Sequence, residues 1–353
     1  MTAYLVLENG ITFQGELFGK PGEVTGEIVF TTGMTGYLET ITDPCFHGQI
    51  ILQTFPLVGN YGVISSDLEK DFVSAKAYII KYPCQEPSNF RCEEVLDTFF
   101  KSKGIVGLKG IDTRALAKIL RDNGSMNGKI TLEMPTTADQ EEARCYRIID
   151  AIAAVSCKET YIVGEGQYRV ALMDFGVRQS VVDALVARNC QVHVFPHNAT
   201  ASDIMSIDPH GILLSPGPGN PAEPANANIV ETISSLVDEE VPMFGIGIGH
   251  LFLAMAHGYK VEKMSIGHRG ANQPVKDLVS GRVYITSQNH GYTALMDSPA
   301  FVNVNDGTCE GINYGNSFSV QFSPEGCGGP SDTAFVFDRF VENMERMAGH
   351  AAR

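Results

Sequence analysis

Three short loops in the second half of the chain have residue types and spacings that suit chemistry. The first, Leu214-Ser215-Pro216-Gly217-Pro218-Gly219-Asn220-Pro221, sets glycines between prolines. That makes a rigid turn able to aim backbone N–H groups outward, or an ordinary surface turn. The second, Gly245-Ile246-Gly247-Ile248-Gly249-His250, joins an apolar run to a helical pattern. A Gly-rich strand-to-helix loop serves anion binding at a helix N-terminus, or it forms an elbow in which a G-x-nucleophile-x-G turn thrusts one side chain into a cleft. The dinucleotide fingerprint G-x-G-x-x-G fails, because its last position falls on His250 or Phe252. The elbow spacing fits, yet its central residue, Gly247, has no side chain. The third loop, Ser319-Val320-Gln321-Phe322-Ser323-Pro324-Glu325, ends a strand pattern on a carboxylate. Alone, Glu325 reads as a surface residue.

These loops need a scaffold, and the pattern from Tyr168 onward supplies one. Val170-Ala171-Leu172-Met173 is a continuous apolar run, as in a strand covered on both faces. Val181 to Val186 fits a helix, Val192 to Phe195 a second strand, Ile212 to Leu214 a third, and Pro242 to Ile246 a fourth followed by a helix to about Ala256. Repeated β-α-β order predicts a mostly parallel, doubly wound sheet. Ligands of such sheets bind at the carboxyl ends of the strands, where all three loops fall.

The first half reads as an α+β domain. Leu5-Val6-Leu7 and Ile28-Val29-Phe30 are strand-like, and Asp112 caps a helix that carries Leu116, Ile119 and Leu120 on one face and stops at Gly124. The expected division is a first domain over 1–135, a connection over 136–167 with an apolar helix from Ile148 to Val155, and a second domain over 168–353.

The net charge of −15 argues against sequence-independent nucleic-acid binding. No basic cluster suits anionic lipid, no secretion signal opens the chain, and no apolar run approaches the ~18 residues of a membrane span. The eight cysteines form no C-x-x-C pair and read as free thiols, with Cys327 a bystander. The nine histidines show no metal-ligand spacing, so no metal is predicted. The expected setting is cytoplasmic.

Taken together, the loops resemble those of the class I glutamine amidotransferases. The first half narrows the resemblance to the small chain of carbamoyl phosphate synthetase. Thr35-Gly36-Tyr37-Leu38-Glu39-Thr40-Ile41-Thr42-Asp43-Pro44, Val58-Gly59-Asn60-Tyr61-Gly62 and Gly110-Ile111-Asp112-Thr113-Arg114 are similar to its motifs. So are Asp174-Phe175-Gly176, Ser215 to Pro221, Gly267-His268-Arg269-Gly270-Ala271-Asn272 and Ser287-Gln288-Asn289-His290-Gly291-Tyr292. Gly329-Pro330-Ser331-Asp332 and Phe337-Asp338-Arg339-Phe340 complete a likeness that covers nearly the whole chain.

The resemblance implies a subunit that hydrolyses glutamine and passes ammonia to a large ATP-using subunit. ATP and Mg belong to that large subunit, and no cofactor is expected in this chain. The family chemistry uses a cysteine thiolate that forms a thioester, a histidine as base and then acid, a glutamate that orients it, and backbone N–H groups that hold the oxyanion. Here the cysteine position falls on Gly247 and the histidine position on Ser323, leaving Glu325 as the remnant. Two residues that would grip glutamine also differ: Leu251 follows Gly249-His250, and Cys45 follows Thr42-Asp43-Pro44. By motif position, Gly217 and Ile248 supply the oxyanion N–H groups, and Gly219, Asn289, Gly291 and Tyr292 match positions near the glutamine.

The resulting expectation is a degenerate small subunit without glutaminase activity, paired with a large subunit fed by free ammonia, in arginine and pyrimidine biosynthesis. Two alternatives stand beside it. One is an active glutaminase with an unconventional nucleophile such as Cys45, with His250 or His290 as base. The other is a non-catalytic module that binds glutamine, weakly. With no synthetase domain before Arg353, the large subunit is expected to be a separate polypeptide.

Overall fold

The strands of the first half bury apolar residues, some on one face and the central ones on both, and seven such strands close on themselves. They are β1 (Thr2–Leu7), β2 (Thr12–Gly19), β3 (Val24–Thr31), β4 (Gln49–Gln53), β5 (Ala77–Ile80), β6 (Val106–Lys109) and β7 (Met126–Thr131). In this computed structural model, which describes residues 1–326 and 328–351, their order is β1-β2-β6-β5-β4-β3-β7, and β7 returns to β1. Leu5, Ile28, Ile50, Leu52, Ile79, Leu108 and Ile130 fill one core cluster. Closure leaves the barrel no open edge. The expectation of an α+β domain is thereby sharpened to a barrel with flanking helices.

Three of those helices are α1 (Leu96–Lys103), α2 (Thr113–Asn123) and α3 (Thr137–Cys145). Asp112 Oδ1 accepts from Ala115 N at 2.9 Å and starts α2, Leu116 and Leu120 are buried, and Gly124 ends the helix at φ 85°. Thr136 and Asp139 form a reciprocal capping box on α3. Lys129 of β7 ties α3 down through Asp139 at 2.8 Å and Glu142 at 2.7 Å.

Residues 136–167, the expected connection, are divided between two compact units. One unit is Met1–Ile149 with Ser265–Gly270, and the other is Asp150–Met264 with the chain from Ala271 onward. The apolar helix expected over Ile148–Val155 is shorter: α4 spans Ala151–Val155, because Asp150 sits at φ 51° and cannot continue a right-handed helix.

The second unit contains β8 (Tyr161–Val163), β9 (Tyr168–Asp174), β10 (Cys190–Pro196), β11 (Gly211–Leu214) and β12 (Met243–Ile246). It continues with β13 (Lys260–Asp277, whose residues Ser265–Gly270 are counted with the first unit), β14 (Val283–Leu295), β15 (Phe301–Asn303), β16 (Cys309–Tyr314) and β17 (Ser317–Val320). Its helices are α5 (Gln179–Val186), α6 (Ala201–Met205), α7 (Ala227–Val237), α8 (Ile248–Ala256) and α9 (Phe335–Ala351). The sheet order is β8-β10-β9-β11-β12-β17-β16-β15-β13-β14.

The five strands β10-β9-β11-β12-β17 run parallel, as the β-α-β pattern predicts. Val170 to Met173 and Ile212 to Leu214 are fully buried. β8 and the stretch from β17 through β16 and β15 to β13 pair antiparallel, a part of the sheet the sequence pattern did not reveal. Among the described residues, no helix is long and apolar enough to cross a membrane.

Candidate functional site

The turn between β12 and α8 is a formed elbow. Gly247 holds φ 59° and ψ −116°, a conformation that L side chains rarely adopt. Its N–H donates to Val320 O at 3.0 Å, and its carbonyl accepts from His250 N at 3.1 Å. The flanking glycines are fixed by packing: a Cβ on Gly245 would lie 2.7 Å from Gly249 O, and one on Gly249 would lie 2.2 Å from Leu214 O. At Gly247 itself a Cβ would meet Pro216 Cβ at 3.4 Å, an ordinary contact. The backbone is thus shaped to present a side chain, there is room for one, and glycine supplies none.

The Pro-Gly loop abuts this turn through Pro216. Ser215 is wholly buried, and its Oγ accepts from Phe175 N at 2.8 Å and donates to Pro216 O at 2.9 Å. Gly217 runs so close to Phe175 that a Cβ would sit 2.1 Å from the Phe175 carbonyl. Asp174 Oδ1 accepts from Gly176 N and Val177 N at 2.9 and 2.7 Å, which fixes the turn after β9. The two residues expected to offer oxyanion N–H groups, Gly217 and Ile248, therefore flank the elbow on rigid backbone.

Beyond β17 the structure departs from the surface reading of Glu325. Its side chain is 1% exposed and forms an ion pair with Arg178, which is 2% exposed. Arg178 Nη2 also donates to Ser323 Oγ at 2.9 Å. Ser323 N donates to Ser287 O at 2.9 Å, anchoring this corner to β14. One guanidinium holds both Ser323, expected at the histidine position, and the Glu325 carboxylate. Sequence reasoning missed Arg178, although it lies two residues past the quoted Asp174-Phe175-Gly176 motif.

The remaining expected residues sort clearly. Leu251 is core: it clusters with Ala254, Ala294, Cys309 and Ile312, with Tyr292 packed against them. Asn289, Gly291 and Tyr292 lie on β14, and Gly219 takes φ 95° in the Pro-Gly loop. Cys45 belongs to the first unit, in a 3-10 turn where its N–H donates to Asp43 Oδ1 at 2.9 Å. Cys327 lies outside the described residues.

The candidate bases are engaged inside the fold. His250 is fully buried, and its Nδ1 is 2.7 Å from Ser319 Oγ. Burial pushes its pKa down to about 3, against an opposing pull from Glu310. His290 Nδ1 is 3.0 Å from Tyr292 O, and its Nε2 is 3.1 Å from Gln288 Oε1 and 3.5 Å from Glu310.

Two family models match in this order: the carbamoyl-phosphate synthase small chain, CPSase domain, over residues 5–130, and glutamine amidotransferase class-I over 171–343. A carbamoyl phosphate synthase small chain of Clostridium perfringens is 45% identical over 350 residues, 97% of this chain and 99% of that one. The chain belongs to the carbamoyl-phosphate synthase small chain family. A carbamoyl phosphate synthase pyrimidine-specific small chain of Halalkalibacterium halodurans is 41% identical, with 98% of each chain covered. Among solved structures, a glutamine amidotransferase of Thermotoga maritima aligns with 53% of this chain and 86% of its own length at TM-score 0.39 and 15% identity. The two family models account for both halves of the chain, whose elbow carries a glycine and whose Glu325 faces an arginine.

Proposed function

We propose that this chain is a small subunit of carbamoyl phosphate synthase that does not hydrolyse glutamine and that supports a large, ATP-using subunit supplied with free ammonia. The products it serves are arginine and pyrimidines. The observation that carries this reading is the formed elbow with no side chain at Gly247. Thioester formation needs a thiolate at that point, and a hydrogen atom cannot attack an amide. The Ser323 hydroxyl, already accepting from Arg178, cannot take up a proton near neutral pH as an imidazole does. Loss of a triad nucleophile alone costs on the order of a millionfold in turnover, and further triad losses add little.

The rest of the scaffold supports retention of the subunit role. The barrel, the parallel sheet and the loops around the elbow are all formed. Glu325 persists with a structural task, since an unpaired buried Arg178 would be far less stable than the pair. Leu251 persists as core.

The test measures ammonia release from glutamine and carbamoyl phosphate formation by the chain with a large synthetase subunit, beside a Cys45→Ser variant. Carbamoyl phosphate made from ammonium but not from glutamine supports the proposal. Glutamine-dependent ammonia release that disappears in Cys45→Ser overturns it in favour of a rebuilt nucleophile. Failure of a large subunit to co-purify with the chain overturns the subunit role.

A further inference from the structure

A cleft of about 390 Å³ opens beside the barrel in the first unit. Small-molecule sites run from ~300 to ~1,000 Å³, so it is large enough for a ligand with a ring-sized body. Leu17 and Phe18 of β2, Pro83 and Val95 give it apolar walls, and Asp97 and Lys101 of α1 and Lys109 of β6 supply its charge.

The polar part of the cleft is organised in advance. Asp97 Oδ1 accepts from Gly19 N at 2.7 Å, and Oδ2 pairs with Lys101 Nζ at 2.5 Å. Gly19 stands at φ 70°, where a Cβ would lie 2.7 Å from Ile105 O, so this close approach of its backbone requires glycine. Asp97 and Lys101 thereby satisfy each other. Among the described residues Lys109 lies near two carboxylates: Asp97, whose charge it helps to stabilise, and, as a loose ion pair, Glu16 at 3.6 Å, whose side chain is 66% exposed. An exposed pair at that distance is worth little and yields readily to a better anion.

We propose that this cleft binds a small molecule carrying one anionic group on an apolar body, with the anion at Lys109 and the body against Leu17, Phe18 and Val95. The site lies wholly within the first unit and is independent of whether the second unit hydrolyses glutamine. Cys84, a free cysteine, also lines the cleft and gives the proposal a local reporter.

The experiment uses the full chain and 8-anilinonaphthalene-1-sulfonate, an aromatic body with one sulfonate. Saturable binding at one site is expected by fluorescence titration. Lys109→Glu weakens it at least tenfold, and Val95→Trp, which fills the cleft, abolishes it. The same probe slows iodoacetamide alkylation of Cys84, read by peptide mass spectrometry, and leaves exposed Cys145 unaffected. The absence of saturable binding, affinity unchanged in Lys109→Glu, or an unprotected Cys84 each overturns the proposal. Thermal unfolding of both variants verifies that they are folded.

Discussion

The elbow and the Ser323–Glu325 corner, two halves of one site in the proposed function, are held in different ways. At the elbow the backbone is retained and only a side chain is missing, because Gly245 and Gly249 are held by contacts with Gly249 O and Leu214 O that any Cβ would violate. At the corner the side chains do the holding, with Arg178 bridging Ser323 and Glu325. Backbone shape imposed by packing is insensitive to what the site does. A buried charge is not: the Glu325 carboxylate needs a cationic partner, and a guanidinium with several donors suits it.

The comparison predicts that neither half of the site is sufficient alone. Gly247→Cys with Ser323→His is expected to release ammonia from glutamine at least ~10³-fold faster than either single variant, since triad members act as a unit. A Gly247→Cys single variant that matches the double one would show that the base never depended on position 323.

The corner should be the more costly region to cut. Arg178→Met leaves Glu325 buried without its cation and is expected to lose about 3–5 kcal/mol in urea unfolding. Arg178→Met combined with Glu325→Gln should recover most of that loss. Near-equal stability of Arg178→Met and the parent chain would refute the structural task assigned to Glu325.

Within the elbow, steric need should separate the glycines. Gly249→Ala forces a Cβ toward Leu214 O and should cost more than about 3 kcal/mol, whereas Gly247→Ala pays only for its rare backbone conformation, about 1–3 kcal/mol. Equal losses at the two positions would contradict the packing argument.

The smallest effect is a pH slope. His250 has a folded pKa pushed by burial to about 3, below its ordinary value of 6.5, so the unfolded chain takes up the proton first as pH falls. Its contribution is fully present above pH 6.5 and lost progressively between there and about 3, with a slope of at most about 1.4 kcal/mol per pH unit. His250→Gln should flatten that part of the stability curve, and an unchanged slope would assign it to other groups.

Much of this molecule is legible in its residues. The parallel strands were, because Val170–Met173 and Ile212–Leu214 are apolar without interruption. So was helix α2, through Asp112 and Gly124. Closure of the barrel was not, because it depends on Tyr4 meeting Thr131, a pairing of distant segments that no local pattern encodes. The short α4 was missed because Asp150 gives no local warning of its positive φ. At the site, the empty elbow could be read directly from Gly247. Arg178 could not, since an arginine in sequence looks alike whether it meets water or a buried carboxylate.

The hydrogen bond from Gly247 N to Val320 O has a consequence for how the chain acquires its shape. Strand β12 is flanked on one side by β17, which is made only after the long β13–β14 segment and the two strands that follow it. During synthesis the elbow must wait, half-framed, for residues that emerge late. Pairing of segments so far apart is slow. The site is therefore among the last parts of the second unit to be completed, and a chain stopped short of Val320 would present β12 as an open template for pairing with a neighbour.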